Sequence, residues 1–242
     1  MVKIVTWLLP LMLILSGCAT VRTGPSEADT GTPTLNQPEM TTQLPEGQRF
    51  VISPETSELR IVLQADGALA RLGHPHVIGG GVIEGVLVIA ERWQDSVFQL
   101  WLPVDALLVD VPEWREEEGF NPHLEESAIE ATRGNMLSEG QLNAANHPFL
   151  SVESLNVTGP QWQPDIDVLI TVAGQSSEWT IPVAIDWDSD QLRATGQIRV
   201  KLSELGIEPF SALGGRLRVA DDIVVRFTVH ALAEGADQSI GE

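Results

Sequence analysis

The chain has 242 residues, with 14 basic against 34 acidic side chains and a net charge of −20. So acidic a chain lacks the basic stripe with which nucleic-acid binders neutralise phosphates, and as a whole it is repelled by anionic headgroups. Its single cysteine excludes any disulfide within one chain.

The first residues run in a fixed order: Lys3, the apolar stretch Trp7 to Leu15, then Ser16-Gly17 ahead of Cys18. A positive start, an apolar run of about 7–15 residues and a small-residue exit describe a secretory signal peptide, residues 1–17. The run is shorter than the roughly 20 residues that span a bilayer. Leu15-Ser16-Gly17-Cys18 resembles the lipobox of bacterial lipoproteins. That resemblance implies cleavage before Cys18, acylation of its thiol and its new amine, and attachment to a membrane in the cell envelope. Two or more acyl chains, at about 0.8 kcal/mol per buried CH₂, make such an anchor stable. Ala19 stands where an aspartate would favour the inner membrane, which points to the periplasmic side of the outer membrane. Residues 18–48 read as the lipidated cysteine and a flexible linker. Pro25, Pro33, Pro38 and Pro45 lie among Thr, Ser, Gly and Glu, with too little apolar surface to offset the entropy of ordering.

Residues 49–233 form one candidate domain, and its dominant period is two. Strands are predicted at 50–53, 58–65, 81–91 and 96–104, with a glycine-rich turn around Gly73 to Gly81 between the second and third. Residues 113–145 break the pattern. They carry Glu113, Glu116, Glu117, Glu118, Glu125, Glu126 and Glu130, and they read as a loop with one or two short helices. Asn121 is the expected cap of a helix starting at Pro122. Strands resume at 150–157 and 165–172. In the second of these, Ile166, Val168, Ile170 and Val172 share a face. Trp179, Ile181, Val183, Ile185 and Trp187 share another, and Asp188-Ser189-Asp190 is a hairpin turn. Ile198, Val200 and Leu202 alternate with Gln197, Arg199 and Lys201, and Ile223, Val225, Phe227 and Val229 alternate in the last strand. Residues 234–242 are a small, polar tail.

Strands joined mostly by polar connectors indicate an all-β, antiparallel barrel or sandwich with a short helical insertion. A barrel of about eight strands either packs its interior with side chains or holds one small ligand. Alternation alone leaves both open.

Several segments in order resemble the YceI-like family of exported, lipocalin-like antiparallel β-barrels. They are Phe50-Val51-Ile52 with 57–62, the run Gly73-His74-Pro75-His76-Val77-Ile78-Gly79-Gly80, and Met136-Leu137 followed by Asn146-His147-Pro148-Phe149-Leu150. Leu202-Ser203-Glu204-Leu205-Gly206-Ile207 and 214–229 complete the likeness, over about 185 residues. Leu205 replaces the family's usual phenylalanine, Glu178 and Trp179 interrupt a basic segment, and the region after Val104 is long and acidic. The resemblance implies non-enzymatic binding of an isoprenoid or similar apolar lipid within the barrel. The inward faces would present Val168, Ile170, Ile181, Val183, Ile185, Ile198, Val200, Val225 and Phe227 to such a ligand. Any packed barrel needs the same residues as core.

His74 and His76 lie two apart, on one face if extended, and are candidates for a shared metal, with His123 and His147 as further nitrogen donors. Pro75, the following glycines and the lack of a free cysteine weigh against a zinc site. The acidic cluster lacks the EF-hand spacing. No G-x-S-x-G, H-E-x-x-H or P-loop sequence occurs, so no catalytic residue and no cofactor is assigned. Three readings stand: a lipid-binding envelope protein, a metal-binding one through His74 and His76, or a filled barrel that meets a protein partner of unknown identity through 113–130.

Overall fold

Alternating apolar and polar residues build the wall of this protein strand by strand. The computed structural model describes Pro38, residues 40–81 and residues 83–235. The signal peptide, Cys18, the first part of the linker and the tail from 236 lie outside the described residues. Chain order gives β1 (Gln48–Ile52), β2 (Glu58–Leu63), β3 (Ala65–Asp66), β4 (His76–Gly80), β5 (Glu84–Ile89), β6 (Val97–Pro103) and β7 (Leu108–Val109). Two helices follow, α1 (Pro112–Glu117) and α2 (Glu126–Leu137). The chain then returns to strands: β8 (Phe149–Thr158), β9 (Asp165–Val172), β10 (Gln175–Pro182), β11 (Ala184–Trp187) and β12 (Gln191–Lys201). The short β13 (Ser211–Ala212) and β14 (Leu217–Val219) precede the long β15 (Asp222–Ala233). Among the described residues no helix is long and apolar enough to cross a membrane.

Every ladder is antiparallel, as short connections require. The main sheet runs β10-β9-β8-β6-β5-β1-β15-β2-β4-β7. β15 is its hub. One edge pairs with β12 from Gln191↔Leu232 to Lys201↔Asp222. The other edge is shared by β1, through Phe50↔Ala233, and β2, through Val62↔Val224. β11 pairs with the start of β12, so the wall curves back on itself.

The ladder is not a closed ring. Pro182 ends β10, because proline has no N–H to donate. Beyond it, Val183 N–H donates to Pro164 O at 3.0 Å and Ile185 N–H to Trp162 O at 3.1 Å. The strand therefore leaves β9 and joins β12 only from Ala184 onward. Between β10 and residues 196–201 of β12 no ladder forms, which leaves a seam. Glu178, Arg199 and Lys201 are exposed on its two strands, charges of the kind that discourage edge-to-edge pairing.

Three expectations need correction. The segment from His76 to Gly80 is a strand rather than a turn, paired with both β2 and β7. Its glycines allow close backbone approach: a Cβ on Gly79 would lie 2.0 Å from Leu59 O. Asn121 caps no helix. Its side chain accepts from His123 N–H at 3.0 Å, and α2 begins later, at Glu126. The last part of the supposed flexible linker is also docked on the sheet. Thr41 and Thr42 N–H donate to Glu153 Oε2 at 2.8 and 2.7 Å, and Gln99 Nε2 donates to Thr42 O.

Burial raises the Glu153 carboxyl pKa, yet the combined donation from Thr42 and Thr41 holds it below its ordinary value. The charged form is therefore favoured by folding. Its contribution is present above the ordinary carboxylate pKa and is lost as pH falls through the lowered folded value. Glu153→Ala is expected to release this strap. Amide exchange at Thr41 and Thr42 should rise at least tenfold while exchange in β9 stays unchanged; unchanged exchange at the two threonines would contradict the docking.

The end of the barrel near Gln48 is packed solid. Phe50 is fully buried and meets Trp187 edge-to-face at 6.3 Å and 85°. Leu192 and Ala231, paired across β12 and β15, are each 1% exposed. The opposite end holds a smaller cluster of Val172, Val200, Leu202, Ile207 and Ile223.

Candidate ligand cavity

The interior is hollow. A cavity of about 360 Å³ runs between the walls, within the range of roughly 300–1,000 Å³ usual for small-ligand sites. All nine residues named from the sequence line it: Val168, Ile170, Ile181, Val183, Ile185, Ile198, Val200, Val225 and Phe227. They come from four neighbouring stretches, and their alternation places each inward. Phe227 lies over Gly196, directly opposite it in the ladder. A Cβ there would lie 2.4 Å from the Phe227 ring, so glycine leaves the ring its space.

The other half of the lining was not named from the sequence, although the same signal was present. Leu59 and Ile61 on β2, Ile78 on β4, Leu87 on β5, and Phe98, Leu100 and Leu102 on β6 alternate inward as well. Thr132, Asn135 and Met136 on α2, and Phe210 and Val219 beside the short β13–β14 hairpin, had no such signal. Asn135 and Phe210 are also exposed, so the cavity reaches the surface between α2 and that hairpin. Among the described residues no Lys, Arg, Asp or Glu lines it.

A buried polar network adjoins the cavity through His76, one of its lining residues. His76 Nδ1 lies 2.6 Å from Asp110 Oδ2, and the Asp110 side chain is wholly buried. Asp110 Oδ1 accepts from Val77 N–H at 3.0 Å and from Arg115 Nη1 at 2.6 Å. Arg115 is 1% exposed and also donates to Pro75 O at 2.6 Å and Asn121 O at 2.7 Å. Its guanidinium lies 5.8 Å from the Phe120 ring centre. Burial raises the Asp110 pKa, but hydrogen bonds from His76, Val77 N–H and Arg115 outweigh it, and the carboxyl stays below its ordinary value. Asp110 takes φ 55°, a left-handed conformation that aspartate tolerates better than most residues.

The metal candidates are not brought together. His74 is exposed, while His76 is committed to Asp110. His123 is exposed, and the His147 ring lies over Gly174. Among the described residues no group of three or more His, Cys, Asp and Glu is placed to hold a metal. The acidic insertion is partly turned onto the barrel itself. Glu117 pairs with Arg60 at 3.0 Å, Glu118 pairs with Arg226, and Arg60 lies 4.4 Å over the Trp114 ring.

No protein-family model matches the sequence, and no curated protein matches it. Solved structures do match. BcnA of Burkholderia cenocepacia superposes with a TM-score of 0.55 at 11% identity, over 74% of this chain and 98% of its own. A polyisoprenoid binding domain from Saccharophagus degradans, implicated in plant cell wall breakdown, gives 0.53 at 11%, over 76% and 98%. A mutant YceI protein of Campylobacter jejuni gives 0.47 at 9%, over 85% and 96%. The β1-to-β15 domain, with its antiparallel wall around an apolar interior, therefore has the YceI-like, lipocalin-type fold.

Proposed function

We propose that this protein is a non-enzymatic lipoprotein of the bacterial envelope that holds an apolar chain, an isoprenoid or similar lipid, inside its barrel. The observation that carries the reading is the cavity: about 360 Å³, lined almost wholly by aliphatic and aromatic side chains. An apolar chain entering it gains about 25 cal/mol for each Å² removed from water. The likeness to a polyisoprenoid binding domain supports the same reading. Native mass spectrometry of gently purified protein, followed by solvent extraction, tests it. A lipid-sized adduct that extraction removes is expected; a barrel that is consistently empty counts against the reading.

The anchor is part of the proposal. Cys18 carries the acyl chains, and the domain faces the periplasm from the outer membrane. Cells fed labelled palmitate should incorporate label into the parent chain and not into Cys18→Ser. Label retained in that variant would remove the anchor.

A further inference from the structure

One lip of the cavity mouth differs in charge from the chain as a whole. We infer that this lip, residues 67–73 with 209–220, is a docking surface for an anionic lipid bilayer. The inference goes beyond the proposed lipid-holding role and stands on its own observations.

The two segments form one packed unit. β14 pairs with β3 through Arg218↔Asp66 and Val219↔Ala65. Leu69 N–H donates to Arg216 O at 2.8 Å, and a Cβ on Gly73 would lie 2.9 Å from Leu217 Cδ1. The helical turn Ala70–Leu72 is thus held against Arg216 and Leu217 from both of its ends. Val219 N–H donates to Phe210 O at 2.9 Å, and both residues line the cavity.

The chain has 34 acidic side chains against 14 basic ones, yet these two segments hold Arg71, Arg216 and Arg218 and no Asp or Glu. Arg218 pairs with Asp66 at 2.6 Å. Arg71 and Arg216 are exposed, and among the described residues no carboxylate pairs with either. Large apolar side chains are exposed in the same unit: Leu72 at 56%, Leu213 at 60% and Phe210 at 39%. Such residues scattered singly need no explanation, but three in one small unit do. Leu213 takes φ 53° just beyond β13, a left-handed position that is costly for leucine, with Gly214 and Gly215 following.

Cations beside exposed leucines suit an anionic bilayer: the guanidinium groups meet headgroups while the apolar chains enter the acyl boundary. The cavity also opens at this lip, so a bilayer lying there offers an apolar route inward. The facing lip, α2, carries Glu126 and Glu130, and Glu208 lies two residues before Phe210. The contact is therefore one-sided, through the β13–β14 hairpin and the turn beside it.

Amide exchange of the full chain on phosphatidylcholine vesicles, with and without phosphatidylglycerol, tests the surface. The acyl anchor would hold the chain on both vesicles alike, so only the lip reports charge. Exchange at 213–216 is expected to slow at least about fivefold on the anionic vesicles alone. About 0.5 M salt should reverse most of that slowing. Arg71→Glu with Arg216→Glu should abolish it, and Leu213→Ser should weaken it; all three positions are exposed, so thermal melting should match the parent. Equal slowing on both vesicles, or slowing that survives the double arginine change, would overturn the surface. No slowing on either would also overturn it and leave the arginines to an acidic protein partner. Slowing confined to β9 and β12 would mean that lipid enters without docking, which overturns the surface and leaves the cavity reading intact.

Discussion

Arg115→Leu is expected to lower stability by about 3–5 kcal/mol, measured by urea denaturation. The reason is what it leaves behind. Asp110 would remain wholly buried without its arginine, facing only His76 and Val77 N–H, and Pro75 O and Asn121 O would each lose a donor. Replacing Asp110 as well removes the stranded charge, so Arg115→Leu with Asp110→Leu should be less damaging than the sum of the two single changes. Acid tests the same network. The Asp110 carboxyl lies below its ordinary pKa despite burial, held there by His76, Val77 N–H and Arg115. Folding thus favours the ionised form. This stabilisation is fully present above the ordinary carboxylate pKa and disappears as pH falls through the lowered folded value. Without Arg115 the carboxyl loses one of its three supports, so the acid transition should move to higher pH. A variant with parental stability and an unmoved acid limb would show that the network carries no load.

The second large effect is on binding. Ile198 and Val225 face each other across β12 and β15, and both line the cavity. Converting both to tryptophan should plug the barrel at that level. Probe affinity should fall by at least about a hundredfold, or ~2.7 kcal/mol. Stability should change little, because the rings enter empty space. In a filled barrel the same substitutions would overpack the core and cost about 1–3 kcal/mol each. Thermal melting and probe titration on one sample therefore separate a hollow interior from a solid one.

Much of the wall was legible because its physics is local. A period of two fixes which side chains face inward, so β9, β11 and the shared stretch of β12 and β15 could be read from Ile166, Ile185, Ile198 and Val225 alone. Boundaries were harder. β12 starts at Gln191, earlier than its clear alternation, because Gly196 interrupts the pattern where Phe227 needs room. Whether the barrel is hollow was not legible at all, since one apolar face serves a ligand and a packed core equally. The polar network was also hidden. Arg115 stands among Glu113, Glu116, Glu117 and Glu118 and reads as part of a solvated face. His76 and Asp110 are 34 residues apart and meet only because β4 pairs with β7. Histidine spacing suggested a metal; the buried carboxylate supplied the actual partner.

The most direct measurement is methyl NMR of the protein with a bound prenyl chain. Intermolecular contacts should appear between the chain and the methyls of Val168, Ile170, Ile181 and Val225, deep in the barrel, and be absent from the exposed Val51 and Leu232. Contacts confined to exposed methyls, with the inner ones touching only each other, would contradict a lipid-holding interior.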